Sequence, residues 1–119
     1  MLRAISTNDL EEVVQLLDGG FPIDGTVDQK HGYNALQLAA MTNHFPLIEM
    51  LVLRGADINK RDKWGNSALM IAVANQNHEA IHSLLRNGCD LSIKNNYGMN
   101  AFDKASSTPS IQQFLTNFN

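Results

Sequence analysis

His78-Glu79-Ala80-Ile81-His82 is the segment whose residue types and spacing match a catalytic motif. In H-E-x-x-H the two histidines share one helix face and can hold zinc, with the glutamate between them placed as a general base. A hydrolytic zinc site needs a third protein ligand. The three-histidine form of the motif requires glycine where Leu85 stands and histidine where Gly88 stands, and no glutamate follows Glu79 to serve instead. A zinc hydrolase using His78, Glu79 and His82 therefore remains only as an alternative. Cys89 is the chain's one cysteine, which rules out an internal disulfide. As a nucleophile it would need a neighbouring base and an electropositive setting; its place in a small-residue column points to packing. The glycines assemble no phosphate loop, since no G-x-x-x-x-G-K occurs. The residues thus predict no catalytic, cofactor-binding or metal-binding set.

The elements around this segment explain it without chemistry. It lies inside Arg61–Ser92, of which the rest of the chain reads as approximate copies. Gly32, Gly65 and Gly98 recur every 33 residues, as do Ala39, Ala72 and Ala105. Val13, Ile48 and Ile81 form another column, as do Leu16, Leu51 and Leu84; the first interval is longer because of extra residues between Asp24 and Gly32. Within a unit, a turn glycine precedes a short helix opened by Ser67-Ala68-Leu69. Ala80, Ile81, Leu84 and Leu85 then give the apolar stripe of a second, amphipathic helix, and Asn87-Gly88 stops it. In this register the H-E-x-x-H segment is an ordinary second helix with Ile81 buried and Glu79 and His82 variable.

The pattern resembles the ankyrin repeat over essentially the whole chain. Gly32, Asn34-Ala35-Leu36-Gln37-Leu38-Ala39-Ala40, Leu51-Val52 and Gly55-Ala56-Asp57-Ile58-Asn59 follow the family's turn, first helix, second helix and loop; Gly65, Ser67–Ala72, Leu84-Leu85 and Gly88–Ser92 repeat it. The resemblance implies an all-α fold: an ankyrin-repeat solenoid of helix-turn-helix units with projecting β-turn fingers, about four repeats including both caps. A single domain over 1–119 divides at about 1–24, 25–59, 60–92 and 93–119. Met1 stands where the first helix opens, Thr7-Asn8-Asp9 forms a turn, and Val13, Leu16 and Leu17 make a buried stripe. The motif histidine is replaced by Gln37, Met70 or Asp103, which implies the loss of a stiffening hydrogen bond.

The family uses its fingers and first helices as a concave face for partners. Carried over position by position, this predicts a partner-binding set of His31, Tyr33, Met41, Lys63, Trp64, Asn66, Met70, Tyr97 and Met99. It includes the only tryptophan and both tyrosines, and aromatic residues and methionine suit a binding surface. Lys30, Arg61 and Lys63 along its edge favour a partner with some acidic character. The formal net charge of −3 gives no field for nucleic acid or anionic membrane. The start MLRAISTNDLEE is too polar for a signal peptide, and no apolar run reaches a membrane span. The reading is a soluble, intracellular, non-catalytic module without cofactor, monomeric when free, that binds another protein as an adaptor or inhibitor. A self-associating scaffold is the further alternative.

Overall fold

A computed structural model describes residues 2–7 and 9–118. Met1 and Asn8, read above as part of the first helix and its turn, lie outside the described residues. The chain forms α1 (Leu2–Ser6), α2 (Leu10–Asp18), β1 (Thr26–Asp28), β2 (Tyr33–Asn34), α3 (Ala35–Met41), α4 (Phe45–Leu53), α5 (Ala68–Ala74), α6 (His78–Arg86), α7 (Ala101–Lys104) and α8 (Pro109–Phe118). Consecutive helices pack as pairs, and the first helices α1, α3, α5 and α7 stack in a row with α4 against α6 beside them. The result is an elongated helix-turn-helix solenoid measuring 41 × 25 × 22 Å.

The two kinds of helix differ because their surroundings differ. α3 and α5 lie between neighbours: Ala35 to Ala40 and Ala68 to Val73 are all buried. Alanine at Ala39, Ala40, Ala68 and Ala72 lets the helices approach. Asn34, Ser67 and Asn100 stand at the N-termini of α3, α5 and α7 in extended backbone, and each side chain accepts an amide at the third helical residue. The second helices face water on one side. α6 buries Ala80, Ile81, Ser83, Leu84 and Leu85 while His78, Glu79, His82 and Arg86 are exposed, matching the period-3.6 reading. Pro46 sits in the first turn of α4, where no amide is required.

The apolar columns form the core: Val13, Ile48, Leu51, Ile81 and Leu84 are closed to solvent. The expected stripe in α2 is only partly realised. Val13 is buried, but Leu16 and Leu17 are half-buried, because among the described residues α2 has a helix pair on one side only.

The replacement of the motif histidine does not have the predicted effect at every unit. Gln37 Oε1 accepts the Asn34 amide at 2.8 Å while Asn34 Oδ1 accepts the Gln37 amide at 2.9 Å, closing a capping box. Gln37 Nε2 also donates to the Lys60 carbonyl at 3.0 Å, joining one unit to the next finger. Asp103 closes the same box with Asn100. An amide or carboxylate thus supplies the stiffening bond, and only at Met70 is there a side chain unable to make it.

Candidate functional site

Three fingers project beside one another between the helix pairs. The first is a small antiparallel ladder in which Thr26 faces Asn34 and Asp28 faces Tyr33. The second and third are closed by one side chain each. Asp62 Oδ1 accepts the amides of Trp64 at 2.9 Å and Asn66 at 2.8 Å; Asn95 Oδ1 accepts those of Tyr97 at 2.9 Å and Met99 at 3.0 Å. Asp and Asn suit this place because their short side chains reach amides a few residues on. Asp62 is buried, and its Oδ2 has no hydrogen-bond partner among the described residues.

Neighbouring fingers are bonded together. The Asn96 amide donates to the Trp64 carbonyl at 2.9 Å, Asn96 Nδ2 to the Lys63 carbonyl at 3.3 Å, and Asn95 Nδ2 to Asn66 Oδ1 at 2.9 Å. Gly65 has φ +81°, and a Cβ there would stand 2.6 Å from Asn96 Oδ1 and 2.9 Å from its amide nitrogen. Both the left-handed backbone and this close approach require glycine.

On this frame His31, Tyr33 and Trp64 form an aromatic cluster. The rings of His31 and Tyr33 are stacked with centroids 5.5 Å apart, and Trp64 lies 5.9 Å from His31 and 6.3 Å from Tyr33. His31 Nδ1 is 2.8 Å from Asp28 Oδ2, and this bond is the main cause holding the Asp28 carboxyl below its usual range. Burial, followed by the charges of Asp62 and Asp28, pushes the Tyr33 hydroxyl up.

The remaining members of the predicted set fall in different places. Lys63 is exposed, while Met41, Asn66 and Met99 are half-buried. Tyr97 is 74 % exposed and has no ring contact among the described residues, so it stands apart from the cluster. Met70 is 1 % exposed. It belongs to the core cluster, on a helix packed against α3, α6 and α7, and it is therefore withdrawn from the surface set. Gln37, of the same column, is 1 % exposed and is consumed by the bonds described above.

The H-E-x-x-H segment lies away from the fingers, on α6. His78 and His82 line a groove of about 320 Å³ toward α4, with Phe45, Glu49, Ser83 and Arg86, and another toward α8 with Ile111 and Phe114. Glu79 Oε2 accepts Asn43 Nδ2 at 3.1 Å, which lowers its carboxyl. Among the described residues no group of three or more His, Cys, Asp and Glu is placed to hold a metal ion. Cys89 packs at the edge of the core, and burial, with a smaller contribution from Asp90, pushes its thiol up to about 12. That is the reverse of what a nucleophile needs. Sequence reasoning did not find the α4–α6 groove. Its signal was Phe45, an apolar residue 43 % exposed on a helix whose other face supplies the core.

Comparison with known proteins agrees with this architecture. Residues 36–85 match the family model of ankyrin repeats in many copies. Over 53 residues, 44 % of this chain, the sequence is 38 % identical to the mouse protein "Ankyrin repeat and SAM domain-containing protein 6" and 36 % identical to its rat counterpart. The aligned part spans 6 % of each relative's length.

Proposed function

Taking the chain as an ankyrin-repeat protein, we propose that it is a non-catalytic module binding another protein through its fingers and the first-helix face. Ankyrin repeats generally mediate protein–protein interaction, and the family is typically non-catalytic. The observation that carries the reading here is the His31–Tyr33–Trp64 cluster on adjacent fingers, followed by the exposed ring of Tyr97 on the next. Large rigid rings held by neighbouring fingers offer contact area at low ordering cost, which is how binding hot spots are made. Lys63, Asn66, Met41 and Met99 complete the surface around them. In this reading the chain is one domain of about four repeats, divided near residues 24, 59 and 92, and monomeric when free. It works inside the cell without cofactor, nucleic acid or membrane, as an adaptor or inhibitor covering part of its target. No described helix is long and apolar enough to cross a membrane.

The test is capture of a partner from the native host's lysate by wild type and by a Trp64→Ala, Tyr97→Ala double variant of unchanged helical circular dichroism. A protein retained by wild type and lost by the variant supports the finger face. Equal retention by both moves the site to another surface, the α4–α6 groove first.

A further inference from the structure

The proposed finger face carries a charge opposite to that of the chain behind it. The three finger segments, 26–34, 59–67 and 92–100, hold five of the nine lysines and arginines, namely Lys30, Lys60, Arg61, Lys63 and Lys94. They hold two of the twelve acids, Asp28 and Asp62. Five cations less two acids give the fingers a formal +3; as the chain totals −3, the remainder is −6. From this segregation we infer that the segment recognised on the fingers is an acidic stretch of the partner protein, with apolar side chains between its carboxylates. The inference rests on the finger face being the partner site.

Both acids of the fingers are engaged by their own turns. Asp62 is buried with Oδ1 on the amides of Trp64 and Asn66. Asp28 is spent on the Lys30 amide through Oδ1 and on His31 through Oδ2. The five cations are all exposed. None of them is in an ion pair among the described residues, where the pairs are His31–Asp28, Arg54–Asp18 and Arg86–Glu49. Arg61 stands near enough to Asp90 to help lower its carboxyl, so Lys30, Lys60, Lys63 and Lys94 are the least compensated. Lys30 and Lys63 flank the aromatic cluster: each directly precedes a ring residue, His31 and Trp64, and the backbone and Cβ of Lys63 are 3.5 Å from where a Gly32 side chain would begin. An incoming carboxylate meets these ammonium groups at the rim and an adjacent apolar side chain meets the rings. Such complementarity steers encounter and selects partners by charge. The −6 behind the fingers repels a long polyanion that would extend past them, which favours a short acidic protein segment over nucleic acid.

Trp64 is the only tryptophan, so its fluorescence reads this site directly. Three probes without tryptophan separate the possibilities: a peptide alternating glutamate with leucine and phenylalanine, the same peptide with lysine for glutamate, and an oligothymidylate. The glutamate peptide should change the Trp64 signal, more weakly as salt rises. Its affinity should fall about tenfold or more in a Lys30→Glu, Lys60→Glu, Lys63→Glu variant of unchanged circular dichroism. Lys63→Glu alone should weaken it measurably, whereas the same charge change at the end of the second helix α4, Arg54→Glu, away from the fingers and the first helices, should not. Equal or tighter binding of the lysine peptide overturns the inference while leaving the finger face in use. Tighter binding of the oligothymidylate overturns it in favour of nucleic acid. No response to the glutamate peptide at low salt also overturns it, and the finger face then stands or falls on the Trp64, Tyr97 capture.

Discussion

Asn43 and Asn77 reach past each other to finish one another's helix ends. Asn43, in the loop after α3 with φ 61°, accepts the Ala80 amide on Oδ1 at 3.0 Å and so caps α6 in the next helix pair. Asn77, the residue before α6, makes no cap bond to its own helix. Its Nδ2 reaches back to the carbonyls of Ala40 and Met41 at the end of α3, both at 2.8 Å. Helix ends leave backbone groups unpaired, and here adjoining units supply the partners crosswise.

Removing either side chain should therefore weaken the joint between units. Asn77→Ala leaves two carbonyls short of a donor and should destabilise by about 1–3 kcal/mol, measured by urea unfolding. Asn43→Gly keeps the left-handed backbone and loses the cap together with the exposed bond to Glu79, about 1 kcal/mol. An Asn77→Ala variant as stable as wild type would mean that water replaces the bond at no cost.

Gln37→Met copies the Met70 column residue into a unit that uses a polar side chain. It breaks the capping box and the bond to Lys60, leaving buried backbone groups unpaired, and should destabilise by about 1–3 kcal/mol. The reverse change, Met70→Gln, offers the bond to its own unit and should cost less; a larger loss than for Gln37→Met would show that packing alone governs this column.

Trp64 and Tyr97 share a repeat position but differ in surroundings. Trp64→Ala loses ring contacts to His31 and Tyr33 and should cost about 0.5–1.5 kcal/mol of stability beyond the area it buries. Tyr97→Ala should fall within about 0.5 kcal/mol of wild type. The urea midpoints of the two variants decide this, and Tyr97→Ala is the cleaner probe of binding.

The Asp28 carboxyl is held down chiefly by its bond to His31. A carboxyl lowered in the native state contributes stability that is present above its unfolded value, about pH 4, and fades as pH falls through the lower native value. In Asp28→Asn the loss of stability between neutral pH and about pH 3 should be smaller than in wild type. An unchanged acid limb in urea titrations would show that the bond does not persist in solution.

With its thiol pushed up to about 12, Cys89 stays protonated in the native chain at neutral and mildly alkaline pH. Against an ordinary thiol near pH 8.5, labelling by a disulfide reagent should be slower by about a hundredfold or more in folded protein than in urea. Equal rates would place Cys89 in free contact with solvent.

The period alone determined which residues point inward within a unit. Val13, Ile48 and Ile81 recur in register and are all buried; Glu79 and His82 fall off the stripe and are exposed, so the H-E-x-x-H segment was legible as a plain second helix. Turn glycines and cap residues were legible for the same reason, since their backbone demands are local. What lies between units was not. Met70 and Trp64 both belong to columns expected to face a partner, yet one is sealed in the core and the other joins a ring cluster. The choice depends on how far the neighbouring pair extends over each. Gln37 with Lys60, Asn43 with Ala80 and Asn77 with Ala40 are pairs formed between separate units. The sequence names each side chain; only the distance and rotation between stacked units decide which backbone group it meets.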